Sequence, residues 1–479
     1  MLWFAALAVA APPPLEAEAL REVVRLAVEE WEIAPGVVIG WVSPGGSGVV
    51  GWGDSGDPTR PTVDGETVFE VGSITKVFTS LVLADMVARG EVRLDEPLSA
   101  FAPTGTIFAS ERVANTTIVE LATHTSGLPR LPFTARILAG GLYARANPYR
   151  SMNEAAVWGD TAGVGDAFLG QGYAYSNLGV ALLGHALAAR AGMPYATLVS
   201  QRLLAPLGMS GSGFNTVSGP FAHGHGVNHI PVPAWTMNGY APAGGLLASG
   251  NDLVRFLEAN LDGTAPGAGL AHPVRVEIDE DSAIGLGWHI AERRGKTITW
   301  HNGGTGGFRA WLGFDATAGT GVFVLANAEH SVDRLGAWLL GGMRTPPGAP
   351  DISPLRLGAL GGLAGYGMAL VGLRRVGSVR SPRLGVLASR LLGGGRREAV
   401  LRLFRVSCAL ALFATILDFR AIPSASVATL GAVAIVSQLW LVRCEWETAS
   451  KPIGAVARGW LGVTSAVLGW VSWVAPWWG

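Results

Sequence analysis

Four consecutive residues, Ser73-Ile74-Thr75-Lys76, carry the clearest chemistry in the chain. They open an apolar-periodic stretch, residues 77–88, whose pattern predicts a helix. Side chains three apart on a helix share a face, so the Ser73 hydroxyl and the Lys76 amine can meet. A serine beside a lysine is an alternative to the serine–histidine pair for forming an acyl-enzyme. The choice of lysine is informative. The chain has 35 Lys+Arg, yet lysine stands only at Lys76, Lys296 and Lys451. Arginine keeps its proton in a protein, whereas a desolvated lysine can lose it. A general base needs that difference.

Ser73 also needs an acid for the leaving group and an oxyanion hole, and two later stretches offer them. Gly172-Tyr173-Ala174-Tyr175-Ser176-Asn177-Leu178-Gly179 presents a phenol and an amide two residues apart. A phenol near a lysine can relay a proton, and an amide can hold a substrate carbonyl. Thr297-Ile298-Thr299-Trp300-His301-Asn302-Gly303-Gly304 reads as a β run carrying a polar residue into glycines. Glycine permits close backbone approach, and N–H groups there can point at an oxyanion. Other candidates are weaker. Lys296-Thr297 is read as the start of that strand, because Ile298 stands where a Lys-Thr-Gly triplet needs glycine. Ser126 lies in Thr-Ser-Gly, outside the Gly-x-Ser-x-Gly of a hydrolase elbow. His124 is read as anchoring its loop. His223, His225 and His229 lack the spacing of a zinc motif and are read as a polar loop near the cleft. No cofactor or metal is expected.

The elements that must position these residues follow from the pattern. Residues 16–32 predict an amphipathic helix with Leu20, Val23, Val24, Ala27 and Val28 on one side. Residues 37–42 and 48–52 are β-type runs joined by Pro44-Gly45-Gly46, a hairpin signal. Residues 68–72 lead into the Ser73 helix. From there to about residue 261 the chain reads as mostly helical patches and loops rich in Gly, Pro and Asn. Short strands return at 297–300, 308–314 and 321–326, and a helix closes at 332–340. Strands at both ends with a mainly helical insertion predict an α+β domain, its one antiparallel sheet flanked by helices.

With the three stretches in order, the chain resembles the serine β-lactamase and penicillin-binding protein superfamily. In that superfamily Ser-x-x-Lys, Tyr-x-Asn and Lys/His-x-Gly line one cleft. It is most similar to the class C-like branch, which includes D-aminopeptidases, D,D-carboxypeptidases and esterases. Leu121-Ala122-Thr123-His124-Thr125-Ser126-Gly127-Leu128-Pro129 is very like a signature of that branch. Gly90-Glu91-Val92-Arg93-Leu94-Asp95-Glu96-Pro97-Leu98 and Ala243-Gly244-Gly245-Leu246, with Asp252-Leu253, also match in order. The resemblance implies Ser73 as nucleophile, Lys76 as its base partner and Tyr175 as the proton shuttle. It implies Asn177 as a substrate-amide ligand, His301 and Gly303 as the Lys/His-x-Gly motif, and the N–H groups of Ser73 and Gly304 as the oxyanion hole. His301 stands where many members have lysine, and histidine is charged only part of the time near neutral pH. The implied substrates are D-amino-acid peptides, amides or esters, with β-lactam hydrolysis weak at most.

Composition adds a second part. The 479 residues are 49% hydrophobic and 15% charged, against about 25% charged for an average soluble chain. Mean hydropathy is +0.34, and the apolar residues concentrate at the C-terminal end. Four apolar stretches, about 357–373, 406–419, 426–442 and 459–478, predict membrane spans, although the second is short. A loop with Arg374, Arg375, Arg380, Arg383, Arg390, Arg396, Arg397, Arg402 and Arg405 follows the first span, opposed only by Glu398. The positive-inside rule puts it in the cytoplasm. Arg443, Lys451 and Arg458 place the third-to-fourth connection on the same side. Residues before 357 then lie outside the plasma membrane. Residues 1–14, a short apolar run before Pro12-Pro13-Pro14, fit a signal peptide or N-terminal anchor. Expected boundaries are therefore 1–14, a hydrolase domain at 16–345 and a membrane domain at 355–479. Both cysteines, Cys408 and Cys444, fall in the last. The net charge of -1 gives no reason to expect nucleic acid. Expected partners are the lipid bilayer and a small-molecule or peptide substrate. The alternative is a penicillin-recognising sensor signalling through its spans, although nothing resembling a kinase, protease or DNA-binding segment follows them. Transport lacks support, because Asp418 is the one acidic residue found inside a span.

Overall fold

The computed structural model describes residues 11–131, 147, 149–215, 217, 219–226 and 229–347. The chain divides into two units, Met1–Ala349 and Pro350–Gly479, and every described residue belongs to the first. The expected leader core and the four expected spans lie outside the described residues. Among the described residues, no helix is long and apolar enough to cross a membrane.

Helix α1, Ala17–Glu29, is followed by the hairpin β1, Gly36–Ser43, and β2, Gly46–Gly53. Strand β3, Val68–Glu70, runs into helix α2, Thr75–Ala88. Helix α3 spans Asn177–Ala191, strand β4 Leu246–Ser249 and helix α4 Gly250–Leu261. Six strands then follow: β5, Val276–Asp279; β6, Ser282–Ile284; β7, His289–Arg293; β8, Lys296–Gly304; β9, Arg309–Asp315; and β10, Thr320–Ala326. Helix α5, Asp333–Leu339, closes the unit.

All of these strands except β3 and β4 form one antiparallel sheet in the order β2-β1-β10-β9-β8-β7-β6-β5. N-terminal β1 lies beside β10, so the sheet draws on both ends of the segment, as the α+β reading expects. Strand periodicity sorts the side chains between two cores. Val37, Ile39 and Trp41 of β1, with Val322 and Val324 of β10, pack with Leu20, Val23, Val24 and Ala27 of α1 and with Leu335 and Trp338 of α5. Val38, Phe323 and Leu325 point the other way, into the core that holds α2 and α4. That second core is where the fold fixes the site. Helix α2 is buried from Thr75 through Met86, as an all-round apolar sequence requires.

Two expectations need completing. The chain between residues 73 and 261 also holds short strands. Strand β3 pairs with β4, and β4 with a two-residue strand at Gly213–Phe214. Gly224–His225 pairs with Pro231–Val232. Strands of two or three residues are too short to show period-2 alternation. β5, β6 and β7 are likewise absent from the sequence reading: β6 has only three residues, and β5, at the sheet edge, has four that alternate between half-buried and exposed.

Candidate active site

The chain reaches the site through a tight approach. Gly72 has φ +52, a left-handed conformation that glycine adopts without a Cβ penalty. A Cβ on Gly72 would lie 2.5 Å from the Gly304 nitrogen. Ser73 then sits in a 3₁₀ turn, Gly72–Ile74, rather than within the α-helix proper. The tetrad therefore straddles the junction, with Lys76 in the first turn of α2. Thr75 Oγ1 donates to the Gly72 carbonyl at 2.7 Å and accepts from Leu246 N at 3.0 Å. Thr79, one turn on, donates to the Pro242 carbonyl at 2.7 Å. These two threonines tie α2 to the Ala241–Gly244 turn, the segment matched in sequence as Ala243-Gly244-Gly245.

That tie completes the lysine's surroundings. Lys76 is fully buried. Its Nζ lies 2.9 Å from Ser73 Oγ and donates to the Ala243 carbonyl at 2.7 Å. No carboxylate pairs with it among the described residues. Burial, and then the positive charge of Arg130, hold its pKa well below the ordinary lysine value. The positive end of α2 acts in the same direction. A neutral amine so placed uses one N–H on Ala243 and turns its lone pair toward the serine hydroxyl.

Tyr175 lies over the pair, with Lys76 Nζ 4.9 Å from its ring centroid. Burial raises its pKa above the ordinary value, outweighing the Ser73 side chain nearby, which favours the phenolate. It therefore holds its proton at neutral pH. The ring rests on His124, centroid to centroid 4.5 Å. His124 is buried at φ +58, and its Nδ1 accepts from Ser176 N at 3.2 Å. It thus anchors the Tyr-x-Asn segment. Ser176 caps α3 by accepting from Gly179 N, and Asn177 is the first helical residue. Asn177 Nδ2 donates to the Tyr149 hydroxyl at 3.3 Å, while Oδ1 has no protein partner.

The sequence leaves His301 open to partial charge. The residue lies inside β8, opposite Leu312 of β9, and is fully buried. Its Nδ1 is 2.6 Å from the Asn302 carbonyl, so Nδ1 carries the proton and Nε2 presents a lone pair. Nε2 has no protein partner. Burial, with His289 and Lys76 nearby, holds its pKa well below the ordinary histidine value. His301 is therefore a neutral acceptor, not a partly charged anchor for a carboxylate. Gly303 follows on the same strand, and a Cβ there would lie 1.9 Å from the Val71 carbonyl oxygen and 3.1 Å from Ser73 N. The backbone of residues 71–73 thus packs directly on that of residues 303–304, which brings the Ser73 and Gly304 amides together.

Sequence reasoning missed several neighbours. The Arg130 guanidinium stands 5.2 Å from the Tyr175 ring centroid. The His289 ring is 5.1 Å from that of His301, and burial pushes its pKa down to about 4. Tyr149 and the Ala243 carbonyl complete the set. Arg130 directly follows the Gly127-Leu128-Pro129 end of the matched signature, which was the one available signal. The set-aside residues have structural contacts. Ser126 Oγ accepts from Leu128 N, Lys296 donates to the Leu340 carbonyl, and His225 Nδ1 contacts the Asn327 carbonyl. Among the described residues, no three His, Cys, Asp or Glu side chains are grouped to hold a metal.

Comparison with known proteins shows the family. Residues 24–341 match the family model described as Beta-lactamase. The chain is 27% identical over 288 residues to the D-alanyl-D-alanine-carboxypeptidase/endopeptidase AmpH of Escherichia coli (strain K12), covering 56% of this chain and 73% of that one. It is 23% identical over 364 residues to a β-lactamase of Pseudomonas fluorescens, covering 65% and 94%. Among solved structures, the class C β-lactamase from Rhodobacter sphaeroides superposes with a TM-score of 0.55 at 20% identity, covering 65% of this chain and 94% of that one. That last likeness is one of fold.

Proposed function

The chain belongs to the β-lactamase family of serine hydrolases, and on that premise we propose that it forms an acyl-enzyme at Ser73 with D-amino-acid peptide, amide or ester substrates. The observation that carries this reading is the 2.9 Å contact between a fully buried lysine amine and the serine hydroxyl. The neutral Lys76 amine takes the Ser73 proton as Oγ attacks the substrate carbonyl. The N–H groups of Ser73 and Gly304 receive the developing oxyanion, which stabilises the tetrahedral intermediate. Tyr175, protonated and close to Ser73, passes a proton to the leaving group. Asn177 Oδ1 accepts from a substrate amide N–H. Water then releases the acyl group by the reverse relay.

The substrate class draws on two supports. One is the E. coli relative that carries the carboxypeptidase/endopeptidase name. The other is His301, which supplies an acceptor where a cation would favour a β-lactam carboxylate. We further propose that the enzyme works on the extracytoplasmic side of the plasma membrane, tethered by residues 355–479. The signal-like start and the arginine-rich loop after residue 373 support that placement. The test is fluorophosphonate labelling of the full chain, followed by turnover of D-amino-acid anilides, D-Ala-D-Ala peptides, short-chain esters and a chromogenic cephalosporin. Ser73 should be labelled and Ser73→Ala should not. Equal labelling of both, or cephalosporin turnover alone, overturns the reading.

A further inference from the structure

A cavity of about 380 Å³ lies beside the catalytic turn, lined by Glu70, Phe221, Trp235, Met237 and Leu247 together with the Ala241 and Gly245 ends of the turn that holds Lys76. That volume falls in the range of small-molecule sites, roughly 300–1,000 Å³. The lining mixes apolar side chains with the polar Asn215 and Thr236, and Glu70 is its one ionisable group. Glu70 is only 3% exposed. Its Oε1 accepts from Trp235 N at 2.6 Å, whereas Oε2 has no protein hydrogen-bond partner. The Thr305 hydroxyl lies close enough to favour the charged form, but not in hydrogen-bonding geometry with Oε2. No arginine, lysine or histidine pairs with Glu70 among the described residues. Burial accordingly raises its pKa, to about 7.

A buried carboxyl without a counter-ion is costly, and a cation with donors to spare is what completes it. We propose that this cavity is a binding site for a small aliphatic primary amine, its ammonium group at the Glu70 carboxyl and its chain along Phe221, Met237 and Leu247. Charge selects the ammonium over a neutral donor, and the apolar walls select an unbranched hydrocarbon body. The carboxyl sits three residues before Ser73 on β3, opposite Leu247 of β4. Ser73 and Lys76 are not among the residues that line the cavity, although the turn that holds Lys76 borders it. The proposal stands independently of the acyl-enzyme reading.

The test is calorimetric titration of the purified full chain with n-hexylamine, and with n-hexanol and hexanoate as comparators. Hexylamine should bind saturably and at least tenfold more tightly than either comparator. Glu70→Gln keeps an acceptor for Trp235 N but loses the charge, and should weaken hexylamine at least tenfold. Ala234, an exposed residue of the cavity lining, gives a second variant that leaves the core alone. Ala234→Trp should weaken hexylamine at least fivefold while fluorophosphonate labelling of Ser73 stays at the wild-type rate. Absent binding, equal binding of hexanol, or unchanged affinity in Ala234→Trp overturns the proposal. Labelling of Ser73 in the same samples reports on the acyl-enzyme reading separately.

Discussion

Gly303→Ala tests how closely the oxyanion amides depend on backbone packing. The new Cβ would lie 1.9 Å from the Val71 carbonyl oxygen and 3.1 Å from Ser73 N. Cβ atoms do not approach other heavy atoms within 3.0 Å, and both neighbours here are main-chain atoms. No rotamer change relieves the contact. Strand β8 must move away from residues 71–73 by roughly 1 Å, and those residues carry the nucleophile. A displacement of about 1 Å costs on the order of a hundredfold in rate, and loss of one oxyanion donor costs about 10²–10³-fold. The expected result is kcat/KM on a short-chain ester down by about a hundredfold or more. Overpacking should also lower stability by about 1–3 kcal/mol, read by urea denaturation to show that the variant remains folded. Gly304→Ala is the control. Its Cβ meets the Arg309 Nη1 atom at 2.9 Å, the end of a side chain that can yield. That variant should stay within about tenfold of wild type, a loss of roughly 1.4 kcal/mol. Wild-type turnover by Gly303→Ala, or an equal loss in Gly304→Ala, would refute the assignment of this contact.

Three further outcomes follow. Lys76→Arg should lose about a hundredfold or more in acylation rate, the usual worth of a general base; near-normal fluorophosphonate labelling by this variant would remove Lys76 from the base role. Arg130→Gln removes a positive neighbour that lowers the Lys76 pKa, so that pKa should rise and the acid limb of the kcat/KM profile should move to higher pH. A limb that stays in place or moves down contradicts the assignment. His272, whose Nε2 meets Asn260 Oδ1 at 2.9 Å, is pushed down by burial to about 4. Its folded pKa is below its unfolded value of about 6.5, so its contribution is complete above that value and is lost as pH falls toward 4. The stability advantage of wild type over His272→Gln should therefore shrink between pH 6.5 and 4, by up to about 1.4 kcal/mol per unit; denaturation midpoints whose separation does not narrow would refute this.

Several features were legible before any coordinates. Val37, Ile39 and Trp41 alternate with Val38 along β1, and Leu20, Val23, Val24 and Ala27 recur at helical spacing along α1. Local periodicity encodes which face each residue turns to a core, so the hairpin, the outer helices and the α+β layout could be read directly. Ser73 and Lys76 were legible for the same reason. Three residues along a helical path bring two side chains together whatever lies around them.

What surrounds that pair was decided by tertiary structure. Lys76 is driven toward its neutral form because α2 is buried all round and because Arg130, from a distant segment, adds positive charge nearby, while Ala243, 167 residues away in sequence, accepts an N–H of the amine at 2.7 Å. His301 was open to partial charge in the sequence, but its place between β7 and β9 removes the water that would stabilise the cation. The position of Arg130 over Tyr175 and the unpartnered oxygen of Glu70 arise in the same way, from contacts between distant segments. Spacing along the chain determines which residues can meet, whereas solvent exposure and long-range contacts determine their charge. For this protein the sequence alone singled out the Ser73–Lys76 pair, and only the packed structure set the surroundings that govern its protonation.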